Sequence, residues 1–276
     1  MLHKKIELHE NGSSNAYITT YLLESNSEMQ FKKRPVVVIC PGGAYISVSD
    51  REGEPIALQF VAKGYHAVVL HYSVAPDAHY PTALLEVGRV VAMLRDSAEE
   101  WHIDTEKILL MGFSAGGHLA ASYGCFWNRS FVAEMLACDR EQLRPNGLLL
   151  GYPVITSGEF AHRNSFVHLL GDRYEELVEE MSLEKQVSKN NPPTFVWHTL
   201  TDEAVPVENS LLFAKALKDA GVSVELHVYP KGQHGLALAN AITALDTSTI
   251  VPSCQSWIDL VQMWIRETYG ELRPEN

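Results

Sequence analysis

Gly112-Phe113-Ser114-Ala115-Gly116 places a serine between two glycines, directly after the β-branched and aliphatic run Ile108–Met111. A hydroxyl at the end of a strand and the start of a helix, flanked by residues without bulk, is what a nucleophile elbow requires. The turn holds the serine in a strained backbone conformation and lifts its hydroxyl clear of the sheet. The N-terminal amides of the following helix favour negative charge developing at the same spot. Such a serine needs a general base, and the base needs an acid to orient it. On a sheet of this kind the chain order is serine, then acid, then histidine.

Asp202 lies in the loop His198-Thr199-Leu200-Thr201-Asp202-Glu203-Ala204-Val205-Pro206, after the run Thr194–Trp197. His234 lies in Pro230-Lys231-Gly232-Gln233-His234-Gly235, after the run Val224–Tyr229. Ser114, Asp202 and His234 are therefore the candidate nucleophile, orienting acid and base. Among the 12 histidines, His198 is the rival base, since it also closes a strand near the site. It precedes the acid, which is the wrong order. His118, one turn beyond the elbow, reads as packing or a helix hydrogen bond; His66, His71, His102 and His227 read as structural. Glu203 adjoins Asp202, and its side chain is expected to point elsewhere.

An oxyanion needs backbone N–H donors in a loop that substrate can approach. Pro41-Gly42-Gly43-Ala44-Tyr45 follows the run Val36–Cys40 and supplies one. The amides of Gly43, Ala44 and Ala115 are the candidate oxyanion hole. No Lys-Ser/Thr pair follows these glycines, so a phosphate loop is a poor reading, and no His-Glu-x-x-His or other metal-ligand cluster appears. The chemistry calls for neither cofactor nor metal.

The elements that must position these residues are short apolar runs alternating with helical patterns. Lys4–Leu8 and Ala16–Leu23 read as antiparallel strands around a turn at Asn11-Gly12. Val36–Cys40, Ala67–Leu70, Ile108–Met111, Gly147–Leu150, Thr194–Trp197 and Val224–Tyr229 read as strands buried on both faces. Helices are expected from an Asp50 cap through Val61, from Pro81 towards Glu100, from Ser114, over Val207–Ala220 and over Ser253–Tyr269. The alternation implies an α/β fold with a largely parallel twisted sheet and helices on both faces. Ligands bind such sheets at the carboxyl ends of the strands. Residues 156–191, polar and poorly strand-like, read either as a small cap-like insert over those ends or as a peripheral helical insert. One domain over 1–276 carrying that insert is the expected organisation.

The 276 residues carry 22 Lys+Arg against 34 Asp+Glu, a net charge of −12, with 46% apolar residues. That apolar fraction excludes disorder. The acidic balance argues against a nucleic-acid partner or an anionic membrane surface. The N-terminus has no apolar core of a secretory signal, and no run approaches the length of a membrane span. Four scattered cysteines read as free thiols in a cytoplasmic protein. The end from Arg273 reads as a frayed tail. Self-association is left open.

Together these segments resemble the α/β-hydrolase superfamily, in its esterase and lipase branch near the hormone-sensitive-lipase-like enzymes. Closer still, they resemble the small acetyl xylan esterase or sugar-ester hydrolase proteins. The similarity runs through Pro41–Tyr45, Tyr72-Ser73-Val74-Ala75-Pro76 with Tyr80-Pro81-Thr82-Ala83, Gly112–Ala120, Thr199–Pro206 and Gly232–Gly235. It implies a serine carboxylesterase acting on short-acyl, above all acetyl, esters of carbohydrates, with a small-molecule ester as its partner. An amidase, formamidase or peptidase on the same fold, or a catalytically silent binding protein, is the alternative. The sequence departs from the branch's His-Gly-Gly-Gly: Pro41 replaces the histidine and Ala44 the last glycine. If that position has positive φ, Ala44 is strained by roughly 1 kcal/mol or more.

Overall fold

A computed structural model describes residues 1–8, 15–25 and 33–271. The expected turn at Asn11-Gly12 and the tail from Arg273 lie outside the described residues. Among the described residues, eight strands form one sheet: β1 (Lys5–Glu7), β2 (Tyr17–Tyr21), β3 (Arg34–Cys40), β4 (His66–His71), β5 (Ile103–Phe113), β6 (Gly147–Gly151), β7 (Thr194–Thr199) and β8 (Val224–Tyr229). Their order is β1-β2-β4-β3-β5-β6-β7-β8. β1 pairs antiparallel with β2, and β2 antiparallel with β4, Ile18 standing opposite both Ile6 and Leu70. From β4 to β8 every pairing is parallel. Parallel strands bring the loops after β3, β5, β7 and β8 to one edge, which is where a site on such a sheet is built.

Among the described residues, eight α-helices accompany the sheet: α1 (Glu54–Val61), α2 (Thr82–Asp96), α3 (Ser114–Phe126), α4 (Ser130–Leu136), α5 (Arg163–Leu170), α6 (Tyr174–Leu177), α7 (Glu208–Asp219) and α8 (Trp257–Tyr269). Strand periodicity sorts the core into two layers. Val36 and Val38 of β3 face one layer with Leu110, Leu148, Leu84, Leu119 and Phe213. Val37 and Ile39 face the other with Met111, Ile56, Phe60, Trp257 and Val261. Fully burying one such side chain contributes ~1.5–3 kcal/mol. This two-sided burial explains why the central strands read as unbroken apolar runs.

Several boundaries differ from the sequence pattern, among them that of α8, which begins at Trp257 after a 3-10 turn at Pro252–Ser256. Asp50 does not cap α1: residues Asp50–Glu52 form a separate 3-10 turn, and Gly53, at φ −99 and ψ −104, precedes a helix that begins at Glu54. α2 ends at Asp96 rather than Glu100, because the chain must turn back into the sheet, which it does through His102 at φ +55. β5 starts at Ile103, paired with Arg34 across an irregularity in register, so polar Asp104-Thr105-Glu106-Lys107 lies within the strand. α4 carries no pattern singled out in the sequence.

Residues 156–191 hold α5, α6 and a 3-10 turn at Leu183–Lys185. Asn209 of α7 anchors this segment, accepting the amides of Ile155 and Thr156 at 2.9 and 3.0 Å and donating to the Phe160 carbonyl at 2.9 Å. Among the described residues no helix is long and apolar enough to cross a membrane.

Candidate active site

Ser114 takes φ +53 at the junction of β5 and α3. The flanking glycines are sterically obligatory. A Cβ on Gly112 would lie 2.1 Å from the Gly116 carbonyl oxygen, and one on Gly116 would lie 2.1 Å from that of Cys40. A left-handed non-glycine residue stores about 1–2 kcal/mol. Here that strain aims the hydroxyl at the strand ends.

Ser114 Oγ lies 2.7 Å from His234 Nε2, and His234 Nδ1 lies 2.6 Å from Asp202 Oδ2. With the proton on Nδ1, that nitrogen donates to the carboxylate and Nε2 accepts from the serine hydroxyl. Asp202 Oδ1 accepts the amides of Ala204 and Val205 at 3.0 and 2.9 Å. Burial alone would raise the Asp202 carboxyl. Hydrogen bonds from His198, His234 and the Val205 amide outweigh it and hold the group well below the usual carboxylate range. Thr199 Oγ1 and Thr201 Oγ1 donate to the Gly232 carbonyl at 2.7 and 3.1 Å, tying the Asp202 loop to the His234 loop. A hydroxyl linked through an imidazole to a buried carboxylate is the arrangement of a serine nucleophile with its general base.

His198 is buried and joins this cluster from the other side. Its Nδ1 lies 2.7 Å from Ser210 Oγ, and its Nε2 lies 2.9 Å from the Val205 carbonyl and 3.3 Å from Asp202 Oδ2. It supports the acid, and among the described residues no hydrogen bond joins it to Ser114.

The glycine loop after β3 runs through Gly43, Ala44 and Tyr45 at φ +135, +53 and +60. Ala44 thus does take the conformation that strains it. Its carbonyl accepts from His168 Nδ1 of α5 at 2.9 Å. Tyr45 is held by its hydroxyl, 2.9 Å from His118 Nδ1, and by its carbonyl, which accepts the Ala75 amide at 2.8 Å. His118 Nε2 donates to the Met181 carbonyl at 3.0 Å, which fixes Nδ1 as the acceptor from Tyr45. Burial pushes this imidazole down to about 4, keeping it neutral. Gly42 N–H is taken by Glu52 Oε2 at 2.7 Å. Among the described residues, the amides of Gly43 and Ala44 donate to no protein group. The Ala115 amide sits in the first turn of α3, where a helix has no carbonyl for it. The Gly43 and Ala44 amides are therefore uncommitted to a protein acceptor, and the Ala115 amide lacks a helical one.

Sequence reasoning passed over Arg51, Glu52, Tyr152 and His168, which brace these loops. Glu52 sits among three acids within five residues, and its spacing gives no sign that it turns inward. Tyr152 follows β6 with no motif around it. A cavity of about 720 Å³ opens beside His234, lined by Thr201, Glu203, Lys231, Gln233 and Ser248. Among the described residues, no group of three or more His, Cys, Asp or Glu is placed to hold a metal ion.

The sheet order and a serine elbow with its histidine and acid loops at one edge define an α/β-hydrolase. The BD-FAE family matches residues 25–217, and the chain belongs to that family. The match includes the Ser114 and Asp202 loops and stops short of His234. The chain is 38% identical over 217 residues to endo-1,4-beta-xylanase B of Butyrivibrio fibrisolvens, covering 75% of this chain and 33% of that protein. It is 30% identical over 240 residues to the acetylxylan esterase of Xylanibacter ruminicola, covering 84% and 46%. The chain thus spans less than half the length of these curated relatives. The crystal structure of the acetyl ester-xyloside bifunctional hydrolase of Caldicellulosiruptor lactoaceticus superimposes with a TM-score of 0.82 at 35% identity over 97% of both chains.

Proposed function

We propose that the chain is a serine carboxylesterase that removes short acyl groups, acetyl above all, from carbohydrate alcohols. The observation that carries this reading is the chain of hydrogen bonds from Ser114 through His234 to Asp202, at 2.7 and 2.6 Å. Ser114 Oγ attacks the ester carbonyl while His234 Nε2 takes its proton. Asp202 holds the imidazole tautomer and stabilises the imidazolium. The amides of Gly43, Ala44 and Ala115 receive the oxyanion; one well-placed donor of this kind contributes about 10²–10³ in kcat. His234 then protonates the leaving alcohol, giving the acyl-serine. Water activated by the same imidazole releases the acid.

The carbohydrate and acetyl parts of the reading rest on the names of the acetylxylan esterase and the acetyl ester-xyloside bifunctional hydrolase and on polar groups around the site. His162 and His168 belong to the 156–191 segment, which acts in this reading as a cap on the single domain. The cavity beside His234 offers Glu203, Lys231 and Gln233 to hydroxyl-bearing ligands. The four cysteines are free thiols, as suits a reducing compartment.

The test is hydrolysis of p-nitrophenyl acetate and p-nitrophenyl octanoate by wild type and Ser114→Ala, alongside release of acetate from acetylated xylo-oligosaccharide. Acetyl turnover in wild type, abolished in the variant, is expected. Activity that survives Ser114→Ala overturns the serine mechanism. Octanoyl turnover equal to that on the acetylated sugar overturns the short-acyl, carbohydrate reading.

A further inference from the structure

The 3-10 turn Asp50–Glu52 lies between the glycine loop and α1, and its last two residues reach in different directions. Glu52 is 4% exposed. Its Oε2 accepts the Gly42 amide at 2.7 Å, and its Oε1 accepts the Tyr152 hydroxyl proton at 2.6 Å. That hydroxyl in turn accepts the Ala237 amide at 2.9 Å. Arg51 donates through Nε to the Thr243 carbonyl at 2.6 Å and through Nη2 to the Gly235 carbonyl at 2.8 Å. Gly42 immediately precedes the candidate oxyanion donors, and Gly235 immediately follows His234. Two adjacent side chains therefore hold the two loops that must act on one carbonyl.

A buried carboxylate is costly unless its oxygens are bonded. Its charge beside amides that receive an oxyanion also opposes that oxyanion. An apolar side chain would avoid both penalties. What the carboxylate supplies is geometry, through two short charge-assisted hydrogen bonds that diverge at a fixed angle. The packing leaves this geometry no slack. A Cβ on Gly42 would lie 2.8 Å from Glu52 Oε2 and 3.0 Å from Ser114 Cβ, so carboxylate, backbone and nucleophile are stacked. On the far side, the Tyr152 ring centroid lies 5.1 Å from that of His234, at 73° to it.

We propose that Glu52 and Arg51 are positioning residues for the esterase reaction. Through Gly42, Tyr152 and Gly235 they set the distance between the Gly43–Ala44 amides and the His234 imidazole. Neither touches a reacting atom. The inference rests on the esterase reading above. A displacement of about 1 Å between groups that act together can cost up to about 100-fold in rate. The cost belongs to kcat, since these contacts do not bind the ground-state ester.

The experiment measures p-nitrophenyl acetate kinetics, with active sites titrated by a fluorophosphonate, across pH 5–9. Glu52→Gln keeps the size but can accept only one of the two protons. It is expected to lower kcat per titrated site by about 10–100-fold with KM within about twofold. Tyr152→Phe breaks the same chain one link on while keeping the ring against His234, and decides the question if Glu52→Gln does not fold. The double variant is expected to lose no more than the worse single one. Arg51→Met is expected to lower kcat, and Arg51→Lys to restore part of it. Wild-type kcat per site in the variants, or losses that simply multiply, overturns the proposal while the esterase reading stands. A wild type inactive on the ester overturns both.

Discussion

His198 and His234 meet on a single oxygen of Asp202: Oδ2 lies 2.6 Å from His234 Nδ1 and 3.3 Å from His198 Nε2. The shorter bond belongs to the imidazole that touches Ser114; the longer one is shared with the Val205 carbonyl. The two rings are thereby assigned different work. Asp202→Asn is expected to lower kcat by about 10⁴ through the wrong tautomer of His234. His198→Asn, which leaves the His234 bond and both backbone amides in place, is expected to cost only about tenfold, together with some stability as Ser210 Oγ loses its partner. Steady-state kinetics of both variants beside His234→Asn check this. A His198→Asn loss as deep as that of His234→Asn would reassign the base.

Ala44 at φ +53 occupies a conformation that glycine adopts freely. Ala44→Gly removes left-handed strain of about 1–2 kcal/mol and adds glycine's backbone entropy cost, for a net gain of about 0.5–1 kcal/mol. In a chain of this size that is a rise in Tm of about 1–3 °C. Ala44→Val, β-branched at the same φ, is expected to lower Tm by more than that. Calorimetry of the two variants against wild type measures it; a lower Tm for Ala44→Gly contradicts the strain argument.

Gly42→Ala tests the stacking of Glu52, Gly42 and Ser114. The added methyl would meet Glu52 Oε2 at 2.8 Å, the Phe113 carbonyl oxygen at 3.0 Å and Ser114 Cβ at 3.0 Å. Two of these are rigidly held, so the loop must shift rather than one side chain swing away. Esterase activity is expected to fall at least about 100-fold, with a lowered Tm. Near-wild-type kinetics would mean that the loop has room not visible in this packing.

What the sequence made legible follows from how each residue acts. The elbow at Ser114 is readable because its flanking glycines are dictated by backbone contacts of 2.1 Å, a local requirement that leaves a local mark. Asp202 and His234 are readable because parallel strands bring successive loops to one edge, so chain order stands in for proximity. Glu52 and Tyr152 are 100 residues apart and bonded at 2.6 Å. No periodicity records that pairing, since it exists only once β6 and the 3-10 turn are packed together. The start of β5 is hidden for a related reason: Asp104–Lys107 carries no apolar alternation and lies in the irregularity between the Arg34–Ile103 and Val36–Ile108 pairings. Cap and helix-end signals failed at Asp50 and Glu100, where Gly53 and the left-handed His102 redirect the chain.

Two buried histidines give the fold a defined sensitivity to acid. Burial drives His118 down to about 4, with its bond to the Met181 carbonyl opposing. Burial likewise drives His66 down to about 4, the His102 carbonyl opposing and the Arg34 charge assisting. An unfolded histidine protonates near pH 6.5. Between about pH 6.5 and 4 the unfolded chain therefore binds a proton at each position that the folded chain refuses. The unfolded state holds more protons in this window, so stability rises with pH across it and is lost as pH falls from 6.5 towards 4. Each site contributes at most ~3 kcal/mol to the loss. Urea midpoints at intervals from pH 7.5 to 4.5 measure it. His118→Asn is expected to be less stable than wild type at pH 7, because Tyr45 and the Met181 carbonyl lose a shared partner. Its midpoint is expected to fall less steeply below pH 6.5, since one of the two proton-uptake sites is gone. An unchanged slope in that variant would show that His118 takes no part in acid unfolding.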